Sequence, residues 1–300
     1  MRHAFEWNLG RRALKLGQRT LVMGVVNVTP DSFSDGGHFL SVEAAIERAL
    51  ALLAEGADIL DLGGESTHPG TYGVGARQEQ DRVLPVIEAI KRERPQAIVS
   101  VDTYKAETAA AAVEAGAEIV NDVSGLMWDP AMAAALARLD CGAVLMHTRG
   151  TPVEWNSLPP EPDPVSFVLR GLTNSVGLAG RAGLASDRLV IDPGFGFGKR
   201  FDENYPLLAH LEVFAQLGFP LLVGTSRKSF IGRTVAARLA ELGVWQPSPE
   251  VPILPPTERL SGTLATVVAA VLHGAHIVRV HDVRPALEAV AIADAVLAVT

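Results

Sequence analysis

Short β-branched runs recur along the whole chain. Each is followed by a Gly/Asp/Asn/Ser-rich loop and then by an Ala/Leu-rich stretch of helical period. The runs are Leu21–Asn27, Asp58–Gly63, Ala97–Asp102, Glu118–Asn121, Ala143–His147, Leu189–Asp192, Pro220–Gly224 and His276–Val280. Amphipathic helices are predicted between them, at Val42–Glu55 (with Ala45, Ala49, Leu52 and Leu53 on one face), Glu79–Arg92, Glu107–Ala115, Ala131–Leu139, Asp163–Ala182, Glu203–Phe214, Ser229–Leu242 and Arg259–His273. Gly-Ala pairs at 56–57, 116–117, 142–143 and 274–275 precede strands, and the glycine suits a helix C-cap before the chain turns into the sheet. Eight βα units in order predict a closed TIM-type (β/α)8 barrel, a single α/β domain over residues 21–300. An open doubly wound sheet is the alternative. The count of eight, a further helix at Pro285–Leu297 and the lack of a linker favour the barrel. Residues 1–20 are expected to form an N-terminal extension across the barrel bottom. The proline-rich segment Gln246–Thr257 is expected to be a long loop before the last helix and strand.

Composition narrows the function classes. A net charge of -8 is a poor basis for nucleic-acid binding, which needs a basic face. The lone cysteine, Cys141, rules out a disulfide framework within the chain and opens an apolar run, as a buried small hydrophobe does. The first residues lack the pattern of a secretory leader, and no window approaches the ~18 consecutive apolar residues of a membrane span. A cytoplasmic protein with small-molecule partners, and with no nucleic-acid or membrane partner, is expected.

In such a barrel the chemistry sits at the C-terminal strand ends. These ends carry Asn27, Asp61, Asp102, Asn121-Asp122, Met146-His147, Asp192, Gly224-Thr-Ser226-Arg227-Lys228 and Arg279-Val-His281-Asp282. Any one aspartate after a strand reads more naturally as a helix N-cap. Seven or more polar ends aimed at one mouth is different, because converging polar groups cost desolvation energy that a ligand usually offsets. Asp102, Asp192 and Asn121 suit the N–H-rich edge of a guanidine-like heterocycle, with Lys228 as donor to its carbonyl. Arg279, His281, Asn27 and Thr67 suit a phosphate or diphosphate. Ser226-Arg227-Lys228 opens a helix and adds a second anion site.

Other motifs fail on inspection. Gly194-Phe-Gly-Phe-Gly198-Lys199 has neither P-loop nor dinucleotide spacing, and is expected to be a flexible loop carrying an aromatic wall. His273 and His276 lack a third ligand for zinc. A Gly-x-Ser-x-Gly elbow and a Cys/His pair are both absent.

These motifs resemble the dihydropteroate synthase family. The resemblance is carried by Asn27-Val-Thr-Pro-Asp-Ser-Phe-Ser-Asp-Gly-Gly37, Gly64-Glu-Ser-Thr-His-Pro-Gly70 and Val101-Asp-Thr-Tyr-Lys105, then Asn121-Asp-Val-Ser-Gly125 and Met146-His-Thr-Arg-Gly150. It continues through Asp192-Pro-Gly-Phe-Gly-Phe-Gly-Lys199, Thr225-Ser-Arg-Lys-Ser-Phe230 and Arg279-Val-His-Asp-Val283. It runs in order from about residue 21 to the end. It implies a transferase of folate biosynthesis, a sulfonamide target, that joins 6-hydroxymethyl-7,8-dihydropterin diphosphate to p-aminobenzoate and releases pyrophosphate. By that likeness Asp102, Asn121, Asp192 and Lys228 hold the pterin, in a pocket lined by Met146, Phe197 and Gly224. Asn27, Arg279 and His281 hold the diphosphate with Mg²⁺, for which Asn27 is the metal ligand. Thr67, Ser226 and Arg227 bind p-aminobenzoate, and Asp35 and Pro69 close over the site. The resemblance also implies a homodimer, to which the apolar stripe Leu260, Leu264, Val267, Val268 and Val271 could contribute; a core-facing stripe explains it equally well.

The chain departs from the family's usual Ser-Thr-Arg-Pro-Gly in the second signature, where His68 replaces the arginine. An arginine is permanently charged, whereas a histidine is largely neutral at pH 7. Arg77 or Arg149 could compensate; otherwise turnover is weakened. Two alternatives follow. A pterin-binding methyltransferase domain shares a similar barrel, but would not be expected to carry the first signature or Ser226-Arg-Lys-Ser-Phe. A pterin-binding homologue without synthase activity would have His68 as its lesion.

Overall fold

The computed structural model describes residues 2–28, 38–249 and 251–299. It opens with an antiparallel hairpin, β1 (Phe5–Asn8) and β2 (Ala13–Leu16), followed by β3 (Leu21–Asn27). The chain then alternates through α1 (His38–Glu55), β4 (Ile59–Gly63), α2 (Ala76–Glu93), β5 (Ile98–Asp102), α3 (Ala106–Glu114), β6 (Ile119–Asp122), α4 (Met132–Arg138) and β7 (Gly142–Met146). The second half contains α5 (Pro164–Arg181), β8 (Leu189–Asp192), α6 (Asn204–Ala209), α7 (Leu211–Ala215), β9 (Leu222–Val223), α8 (Ser229–Glu241), α9 (Leu260–Leu272), β10 (Ile277–Val280) and α10 (Val283–Leu297). Strands β3 to β10 pair in parallel, in the order β8-β7-β6-β5-β4-β3-β10-β9. A parallel bridge between Ile191 and Leu221 joins β8 to the segment leading into β9 and closes the ring. This is the (β/α)8 barrel expected from the eight-fold pattern, with small departures. The helix expected over 203–214 breaks at His210, whose φ of -125° and ψ of 37° leave the helical region. The seventh barrel strand is only two residues long.

Side chains alternate across each strand, so every second residue enters the barrel. The lowest interior layer is apolar. Leu21, Met23, Ile59, Ile119, Val144, Val190, Leu222 and Ile277 form one buried cluster with Trp7, Leu9 and Leu16 of the hairpin. The hairpin therefore plugs the barrel floor, and the Trp7 indole N–H donates to the Arg188 carbonyl at 2.9 Å. The outward residues (Val22, Leu60, Val99, Val120, Leu145, Ile191 and Val278 among them) pack against the helices in the main core. Two positions above the floor the interior residues change character: Ile59 gives way to Asp61, Ile119 to Asn121, Val190 to Asp192 and Ile277 to Arg279. The same parity sends Asp122 outward, where it accepts from the Ser124 amide and hydroxyl and from the Leu126 amide.

Candidate active site

Strand register sets the mouth. Asn27 pairs with Gly63, Gly63 with Asp102 and Asp102 with Asn121, so four adjacent strands end at one level. On the far side Met146 pairs with Asp192. Arg279 begins four residues lower in register, opposite Met23 and one layer below Asp61, and its long side chain reaches upward. Its Nε donates to Asp61 Oδ2 at 2.5 Å and its Nη2 to Asp102 Oδ2 at 2.7 Å. Asn121 Nδ2 donates to the same Asp61 oxygen at 3.1 Å. Asp61 Oδ1 and Asn121 Oδ1 are buried without a hydrogen-bond partner.

Asp61 stands among the polar strand ends read from sequence but receives no role there; the structure gives it one, as the buried partner of Arg279 and Asn121. Arg279, grouped from sequence with the anion-binding side, instead spans two carboxylates and links the two halves of the site. Burial pushes the Asp102 carboxyl up to about 7, against the pull of Arg279, and pushes Asp192 up to about 6.

Asn121, Val123, Met146, Asp192, Phe195, Phe197, Gly224, Lys228 and Arg279 line one small cavity of about 20 Å³. It brings together six of the seven residues placed on the pterin side from sequence, adds Val123, Phe195 and Arg279, and leaves out Asp102, which stands beside Asn121 in the register but does not line the cavity. The larger hollow, about 390 Å³ beside Lys15, Arg19 and Asp58, lies at the opposite barrel end, away from every strand-end residue. Lys228 Nζ stands 4.0 Å from the centroid of the Phe197 ring. Burial, and then Arg279, draw its pKa down to about 8. Phe197 in turn meets Trp155 edge-on at 5.2 Å, within a cluster that includes Val123 and Met146. A Cβ at Gly224 would lie 3.7 Å from Arg279 Cβ and 4.0 Å from Asp192 Oδ2, ordinary contact distances, so Gly224 lines the cavity without being required by packing.

The turn after β9 builds the other side. Arg227 takes a left-handed φ of 58°, rare for a non-glycine residue. Its amide donates to Thr263 Oγ1 at 3.0 Å, and its carbonyl accepts from Arg259 Nη1 at 2.7 Å. The Arg227 guanidinium forks onto Asp282 at 3.0 and 2.6 Å. Ser226 Oγ lies 3.0 Å from His281 Nδ1 and accepts from the His281 amide at 3.2 Å. Burial, with Arg279 and Arg227 beside it, lowers the His281 pKa to about 3, so the imidazole is neutral while the site holds no anion.

The loop after β4 stands at the rim. His68 and Pro69 are exposed and Thr67 is half-buried. Thr71 Oγ1 closes the loop onto the Ser66 and His68 carbonyls, and the Gly70 amide donates to Pro152 at 2.8 Å. Below it, Lys105 pairs with Glu65 at 2.5 Å and Glu79 at 3.3 Å. The two cations considered as substitutes at position 68 are engaged elsewhere: Arg77 pairs with Asp81 at 3.1 Å, and Arg149 donates to the Pro159 carbonyl at 2.7 Å. Asn27 is exposed at the mouth. Asp35 lies outside the described residues. Among the described residues, three or more His, Cys, Asp or Glu side chains nowhere cluster as a metal cage, and no helix is long and apolar enough to cross a membrane.

Known proteins share this arrangement. The dihydropteroate synthase of Bacillus subtilis is 43% identical over 285 residues, covering 95% of this chain and 91% of that protein. The Escherichia coli K12 enzyme is 42% identical over 276 residues, with 92% and 91% covered. The crystal structure of Xanthomonas albilineans dihydropteroate synthase with 4-aminobenzoic acid superposes with a TM-score of 0.85 at 42% identity, over 99% of this chain and 100% of that one. The model of the pterin-binding enzyme family matches residues 23–281, from the first barrel strand through His281. The chain therefore belongs to the pterin-binding enzyme family.

Proposed function

We propose that the protein is a dihydropteroate synthase, joining 6-hydroxymethyl-7,8-dihydropterin diphosphate to p-aminobenzoate with release of pyrophosphate. The observation that carries this reading is the set Asp102, Asn121, Asp192 and Lys228 at one barrel mouth, walled by Met146 and Phe197. Two carboxylates and an amide match the N–H edge of a pterin, Lys228 matches its carbonyl, and the apolar wall takes the ring face. Arg279 lines the same cavity, and we place its guanidinium on the departing diphosphate with His281 and Asn27. Ser226, Arg227 and Thr67 face the aminobenzoate carboxylate, with Pro69, His68 and Asp35 on the closing loops.

The methylene carbon loses its C–O bond, and the electron pair leaves on pyrophosphate. The arylamine nitrogen then forms the C–N bond and releases a proton. An aniline is neutral at pH 7 and needs no activating base, so catalysis is positioning plus stabilisation of the leaving group. The donor set suits Mg²⁺: a hard amide oxygen at Asn27, with no carboxylate cage among the described residues, fits an ion held chiefly by diphosphate oxygens. When bound, Mg²⁺ would neutralise leaving-group charge.

Residues 21–300 would carry this chemistry, with 1–20 as the floor. The Yersinia pestis dihydropteroate synthase has been solved in complex with a sulfonamide drug. The same aminobenzoate side is proposed to admit sulfonamides here. We further place the protein in the cytoplasm as a homodimer, for which exposed Leu272, Ile292 and Val296 on α9 and α10 offer apolar surface.

Pyrophosphate release with both substrates and Mg²⁺ tests the reading. Product should appear, and omission of aminobenzoate or addition of EDTA should abolish it. Tight pterin binding without pyrophosphate release would favour the inactive pterin-binding homologue.

A further inference from the structure

The segment Gly194–Lys199, expected to be a flexible loop, is tied down by a buried amine. Lys199 is 8% exposed. Its Nζ donates to the His147 carbonyl at the end of β7 at 2.8 Å and to the Gly194 carbonyl at 2.7 Å. Placing an amine at this depth on two carbonyls alone costs solvation energy, and burial pushes its pKa well below the ordinary lysine range. Gly194 is the node of the arrangement. Its carbonyl accepts from Lys199, and its amide donates to Asp192 Oδ1 at 2.7 Å. Its φ is +69°, and a Cβ there would lie 1.9 Å from the His147 carbonyl oxygen, so the loop runs directly against the backbone of the neighbouring strand end. One turn later, Arg149 N donates to Phe197 O at 3.3 Å. The bridge thus governs two pterin-side groups at once, the direction of the Asp192 carboxylate and the seat of the Phe197 ring beneath Lys228.

We propose that Lys199 is a positioning residue for the pterin substrate. It clamps the Gly194 and His147 carbonyls so that Asp192 and Phe197 hold their binding geometry before the ligand arrives. This rests on the reading of Asp192 as a pterin ligand. The aminobenzoate side, built by Ser226 and Arg227 after β9 and Thr67 after β4, lies outside the clamp.

The test compares parent, Lys199→Met, Gly194→Ala and Asp192→Asn. Equilibrium binding of 6-hydroxymethyl-7,8-dihydropterin diphosphate is measured by calorimetry, and KM for p-aminobenzoate by pyrophosphate release. Lys199→Met keeps the volume and removes the donors. It should weaken pterin binding about 10- to 100-fold while moving the aminobenzoate KM less than about twofold. Gly194→Ala keeps the amine and pushes the loop off His147, and should give the same split even if Lys199→Met proves too unstable to assay. A merely structural role would move both constants together, and that result overturns the proposal, as does unchanged pterin binding in both variants. Weak pterin binding by Asp192→Asn beside full binding by Lys199→Met sinks the clamp alone. Full binding by Asp192→Asn sinks the assignment of Asp192, and the clamp with it.

Discussion

Replacing Arg279 by methionine should destabilise the protein in a way that depends on pH. The guanidinium sits between Asp61, which is fully buried, and Asp102, whose side chain is 15% exposed. Removing it leaves two carboxylates facing one another with no cation between them. Breaking a buried pair by deleting one partner costs about 3–5 kcal/mol. Water can reach Asp102 at the mouth, so the lower end, about 3 kcal/mol, is expected.

The sign of the pH dependence follows from Asp102. Its carboxyl already lies up at about 7, and losing Arg279 raises it further. A carboxyl raised above its unfolded value loses folding stability as pH climbs toward its folded value. Parent and variant both hold Asp102 protonated well below pH 7, so the extra deficit opens above about pH 7 and grows until the variant's higher value is passed. A further shift of one to two units makes the deficit about 1.2–1.9 kcal/mol larger at pH 8.5 than at pH 5.5. Urea unfolding of both proteins at these two pH values reads the difference directly. Asp102→Asn introduced into the variant should recover about 1–2 kcal/mol at the higher pH, because it removes one stranded charge. A deficit of equal size at both pH values, untouched by Asp102→Asn, would refute the charge argument and leave only lost packing.

Two further outcomes are expected. His68→Arg should raise kcat/KM, because it puts a permanent, forked cation at the rim of the site; unchanged kcat/KM would sink the idea that position 68 contributes a cation. Trp7→Ala should cost about 3–5 kcal/mol in thermal or urea unfolding, because the ring is 0% exposed in the barrel floor, yet leave pterin affinity unchanged; a loss of affinity matching the loss of stability would mean that floor and mouth are not independent.

The alternation of apolar and polar residues was enough to foresee eight strands, their order, and a polar ring at their ends. Period two within a strand also decides that Asn121 enters the barrel while Asp122 turns outward, so most of the polar set at the mouth could be read from local spacing, and the pterin was named only by the family resemblance. Asp61 could be placed near the mouth but given no role, because a charged residue within a strand gives no sign of its partner. Its partner, Arg279, is 218 positions away, and Asp102 is 177 positions from the same arginine. Such pairings exist only once the ring closes and the stagger between strands brings a long side chain up one layer. Lys199 is the same case, since no local pattern states that its amine meets the His147 carbonyl 52 positions earlier. Periodicity is a property of neighbours along the chain. What each buried charge is paired with, and so which state it holds at neutral pH, is a property of neighbours in space, and only the closed barrel decided it.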